Sequence, residues 1–100
     1  MSKPTHSDPI VLEEPIKRGD KNTITEITLR RPKTGDLRHL KMADAIVGDV
    51  NTIIRMVPRI SVPTLTEQEV VALDVADLLV CADTIAGFLQ KTGAAESPAA

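Results

Sequence analysis

Residues 23–30 alternate strictly: Thr25, Ile27 and Leu29 fall on one face of an extended strand, and Ile24, Glu26, Thr28 and Arg30 on the other. Upstream, Ile10-Val11-Leu12 runs through Glu13, Glu14 and Pro15 to Ile16, and Lys17 to Asn22 then supplies turn-forming residues around Gly19. The two segments predict a β-hairpin over 10–31, with a connection longer than two residues. Pro15 has no N–H to donate, so the first strand belongs at a sheet edge.

After Pro32 the period changes from two to that of a helix. Thr34-Gly35-Asp36 offers an N-terminal cap for a short helix at about 35–42, carrying Leu37, Leu40 and Met42. A second helix is predicted at about 44–57, because Ile46, Val50, Ile53 and Val57 recur within an arc of about 60°. Pro58 and Pro63 bracket a short extended connection, since a residue preceding proline is pushed out of the helical region. Thr66-Glu67-Gln68-Glu69 is a capping box, with Leu65 and Val70 as its hydrophobic staple. Asp74 and Asp77 repeat the pattern, with Leu73 and Leu78 as a second staple. Two successive caps predict a short helix at 67–72 and a long one at 75–91, with Gly93 near its end. The fold class is therefore α+β and mainly helical, an N-terminal hairpin followed by three to four helices in one domain over 10–93. Residues 1–9 and 94–100 lack periodicity and are expected to be disordered tails.

On the long helix Val75, Leu78, Leu79, Ala82, Ile85, Ala86 and Leu89 share an arc of roughly 120°, the width of a core-facing stripe. The other side carries Ala76, Val80, Cys81, Gly87 and Phe88, with only Asp77, Asp83 and Thr84 as polar members. Either the hairpin and the second helix cover both sides, or Ala76, Val80, Thr84, Gly87 and Phe88 contact an oligomer mate or a partner helix.

Composition narrows the choice of function. The net charge of −2 and a single aromatic, Phe88, argue against nucleic-acid binding by charge or by base stacking. Arg30, Arg31, Lys33 and Arg38 form a basic stretch that offers a contact for phosphates, with too few charges to predict DNA binding. Asp74, Asp77 and Asp83 interrupt the most apolar stretch, which excludes a membrane span. His6 and His39 are isolated, Cys81 has no basic neighbour, and no phosphate-loop, dinucleotide, zinc-protease or paired-cysteine motif occurs. No catalytic residue, metal or cofactor is expected.

The order of features resembles the tail assembly chaperones of Mu-like and other contractile-tailed phages and prophages. The resemblance lies in Thr25-Glu26-Ile27-Thr28-Leu29-Arg30-Arg31-Pro32-Lys33-Thr34-Gly35-Asp36-Leu37 and in Leu73-Asp74-Val75-Ala76-Asp77-Leu78 leading to Gly87-Phe88-Leu89, and it spans about residues 10–89. It implies a non-enzymatic factor that binds the tape measure protein in the host cytoplasm and helps tail-tube protein polymerise around it; a homo-oligomer is expected. In many such phages a second, longer product arises by programmed frameshifting. Helix-in-groove contact through Val80, Thr84, Phe88 and the second helix is the expected mode. A structural minor tail or baseplate component, and a small DNA-binding regulator, are the alternatives from other classes.

Overall fold

The structure is a computed structural model that describes residues 5–90. Two strands, β1 (Ile10–Arg18) and β2 (Asn22–Leu29), form an antiparallel hairpin around a three-residue connection in which Gly19 takes the left-handed conformation its φ of 75° requires. A 3-10 turn (Thr34–Leu37) follows, then α1 (Met42–Val47), α2 (Val50–Ile60), the two-residue strand β3 (Ser61–Val62), α3 (Glu67–Val71) and α4 (Val75–Leu89). β3 pairs antiparallel with the end of β2, giving a three-stranded sheet in the order β1-β2-β3, with the proline-bearing β1 at an edge. Thr5 to Ser7, within the stretch expected to be a tail, lie along the end of β2: Arg31 N–H donates to the Thr5 carbonyl and Ser7 N–H to that of Leu29. Residues 1–4 and 91–100, which include the first four residues of that stretch, Gly93 and the expected C-terminal tail, lie outside the described residues.

The core is aliphatic and draws on every layer. Ile10 and Leu12 of β1 and Ile27 and Leu29 of β2 meet Ile53, Met56, Val57 and Ile60 of α2, closed by Leu65, Val70, Cys81 and Ile85. Ile27 and Leu29 are the buried members of the face read from the alternation.

Three features depart from the sequence reading. The helix expected at 44–57 is two helices. Gly48, at φ 77°, ends α1 in the left-handed conformation, and Asp49 caps α2 by accepting from Thr52 N–H. The break turns Ile46 and Val50 to solvent while Ile53 and Val57 stay buried. The helix expected at 35–42 shrinks to the 3-10 turn, because Asp36 accepts from Lys33 N–H and from Arg30 and His39 enters the left-handed region at φ 68°. Finally, Pro58 lies inside α2 rather than ending it. The last turn is held beyond the proline by Ile60, which is buried and accepts from Arg30 N–H, and by Arg59, which donates to the Arg38 carbonyl at 3.0 Å.

Candidate functional site

α4 begins where Asp74 accepts from Ala76 N–H at 2.9 Å, a good N-cap that leaves Asp77 uninvolved in capping. The Asp77 side chain instead turns into the protein, where the residue is only 2% exposed. Glu13 N–H donates to both of its carboxylate oxygens at 2.9 Å, and Glu14 N–H to Oδ2 at 3.4 Å. The β1–β2 register shifts between Val11 and Ile16, so these amides have left the ladder, and Pro15 beside them has none. A buried carboxylate is tolerable only with such donors, and these amides need an acceptor as much as Asp77 needs them.

That tie sets the rotation of α4. Asp77, Cys81 and Ile85 face inward, with Phe88 half-buried on the same side. The core-facing stripe lies about 90° around the helix from the one read in the sequence, at 100° per residue. Val75 and Leu79, assigned to the core by that reading, are 71% and 64% exposed. Ala76, Val80 and Gly87 are exposed beside them, with Asp83 the single charge on this side. Thr84 is half-buried and donates its hydroxyl to the Val80 carbonyl at 2.8 Å. Of the five proposed partner residues, three therefore stand on one outward row, while Thr84 and Phe88 flank the core. Phe88 also carries Arg31, whose guanidinium carbon lies 5.9 Å from the ring centroid. Cys81 is buried beneath the row, and burial, with the charge of Asp77 second, pushes its thiol up to about 11, so it serves as packing rather than as a nucleophile.

The basic stretch is dispersed. Arg30 is bidentate to Asp36 at 2.8 Å and donates to the Arg59 carbonyl, while Arg31 lies over Phe88. The Arg30 hydrogen bonds hold the Asp36 carboxyl below its ordinary range. Lys33 and Arg38 are exposed, so the four residues do not converge as one phosphate contact.

A second ion pair fastens the far end of β1 to α3. Arg18 donates to both oxygens of Glu69, at 2.8 and 2.7 Å, and to the Thr64 carbonyl at 2.6 Å. Glu69 also closes the capping box expected at Thr66, accepting from Thr66 N–H at 2.9 Å while its own N–H donates to Thr66 Oγ1 at 3.1 Å. The Arg18 bonds first and the Thr66 amide second lower the Glu69 carboxyl to about 2. A depressed carboxylate stabilises the fold above its unfolded range near 4.5, and that contribution is lost as the pH falls toward 2. Carbon-detected NMR should place the Glu69 midpoint near 2, and Arg18→Gln should return it toward the ordinary range; an unchanged midpoint in the variant would refute the pair.

Among the described residues, no group of three or more His, Cys, Asp or Glu side chains is placed to hold a metal ion, and no helix is long and apolar enough to cross a membrane. What the fold presents is a nearly uncharged helix face on a small sheet-and-helix scaffold, the outline of a protein suited to work by contact. Residues 9–90 match the family described as "Phage tail assembly chaperone proteins, E, or 41 or 14", and the chain belongs to that family. It is 41% identical over 80 residues to tail assembly protein E of Escherichia phage P2, a match covering 80% of this chain and 87% of that protein. Tail assembly protein E′ of the same phage is also 41% identical over 80 residues, but there the match spans only 56% of the relative's length. No solved structure matches the chain.

Proposed function

We propose that this chain binds the tape measure protein in the host cytoplasm and assists assembly of the tail tube around it, acting as a homo-oligomer and without catalysis. The observation that carries this reading is the outward row Ala76, Val80 and Gly87 on α4, an apolar helix face interrupted by Asp83 alone. Helical client segments expose apolar stripes before assembly, and a face of small and β-branched residues lets a second helix approach closely. Family membership supports a role in tail assembly.

The sheet supports contact through helices rather than by strand addition, the mode a structural tail component would use. β1 is interrupted by its bulge, by Pro15 and by the exposed Glu13 and Glu14, and β3 ends after two residues at Pro63. A DNA-binding reading finds less support, because Arg30 and Arg31 are engaged with Asp36 and Phe88.

The test is co-expression with the long helical protein of the same operon, followed by pull-down. Val80→Asp places a charge on an exposed position and should cut capture at least tenfold, with the circular dichroism spectrum unchanged. Equal capture by wild type and variant would sink the proposed row. Phe88→Asp is a poorer probe, because Phe88 packs against the core.

A further inference from the structure

A second apolar surface adjoins that row and is not needed by it. α1 lies against α4, and a Cβ placed on Gly48 would meet the Ala82 Cβ at 3.5 Å. On α4, Ala82 continues a row through Val75, Leu79 and Ala86, and on α1 Ile46 and Val47, just before Gly48, point to solvent, Val47 at 77% exposed. We infer that this α1–α4 face, formed by Ile46, Val47, Val75 and Leu79, is covered by a second copy of this chain.

Area is the first argument. The four residues together leave on the order of 500 Å² exposed, within the range of a monomer's largest apolar patch. A standard interface buries about 800 Å² per partner, of which roughly 60% is apolar, so the face supplies about what one half of a stable dimer needs.

The second argument is self-complementarity. Val75, Leu79, Ala82 and Ala86 are spaced four, three and four apart, the spacing at which two helices mesh side by side, and none of them is charged. A two-fold axis brings an identical uncharged row against it, so the row itself brings no charge into the contact, and Asp83 lies at its border.

The inference rests on the homo-oligomer of the proposed function and gives it a face, but it stands apart from tape measure binding, which uses the row about one residue further around α4. Its test is the mass of the full chain by sedimentation equilibrium over a concentration series. The expected result is a dimer with a Kd on the order of 1 μM, weakened at least about 100-fold by Leu79→Asp and by Val47→Lys. Val11→Asp, at an exposed apolar position on β1, and Val80→Asp should both leave the mass at two copies. A wild-type monomer at about 100 μM, a mass other than two copies, or a dimer that survives both face variants would overturn it. If Leu79→Asp proves unfolded by circular dichroism, Val47→Lys decides, since Val47 is more exposed than Leu79. A monomeric Val47→Lys that still captures the helical client would separate the two surfaces.

Discussion

Asp77→Ala should lower the folding stability by about 3 kcal/mol, a large share of the 5–15 kcal/mol available to a small domain. The reasoning is an accounting of donors. Glu13 and Glu14 direct their N–H groups at one carboxylate, and β2 offers them no ladder carbonyl because the register shifts there. Removing the acceptor leaves two part-buried backbone donors without a partner, at about 1–3 kcal/mol each if water does not enter. Asp77→Asn keeps one acceptor oxygen in the same shape and should lose only about half as much. Urea unfolding reads both: the midpoint should fall while the slope stays constant. An alanine variant within about 0.5 kcal/mol of wild type would mean that water takes over the amides, and the tie would then be unimportant to stability.

Ile53→Ala should cost about 3 kcal/mol, whereas Ile46→Ala and Val50→Ala should each stay within about 0.5 kcal/mol. All four of Ile46, Val50, Ile53 and Val57 lie on one arc if residues 44–57 are a single helix, and the alanine series would then be uniformly damaging. Gly48 removes that equivalence. Ile53 is fully buried among Leu29, Met56 and Ile85, and truncating it opens a cavity that rigid neighbours fill only in part. Ile46 and Val50 lie before and just after the break and point to solvent. Thermal or urea unfolding of the three variants, compared as one series, decides between the arrangements.

The contrast shows which parts of the fold are legible in the sequence. Local signals read well. The alternation of Thr25, Ile27 and Leu29 defines a strand face on its own, and Thr66 and Glu69 form a capping box within a single turn. The break at Gly48-Asp49 is also a local signal, a glycine able to end one helix followed at once by an aspartate able to cap the next. The periodicity across it obscured the pair. The rotation of α4 is different in kind. A helix apolar nearly all round has no direction of its own, so a wheel drawn from the sequence chooses among faces of almost equal hydropathy. What chooses in the protein is Asp77, and its partners are backbone amides that carry no residue identity. The candidate site was legible to the extent that Ala76, Val80 and Gly87 face outward. Val75 and Leu79 were missed because only a contact distant in sequence exposes them.

The Asp77 tie also joins β1 to α4, the first strand and the last helix among the described residues, across a sequence separation of 64 residues. Closing a loop of that length carries a length-dependent entropy of about 3.7 kcal/mol, to be met before the contact can offset it. An isolated hairpin is marginal in water, and this one leaves two amides outside its ladder, bonded to water until α4 arrives. During synthesis α4 is the last described element to emerge, so the fold has a completion check: a nascent or truncated chain lacking α4 cannot latch β1, and the core lacks Cys81 and Ile85 until α4 is made.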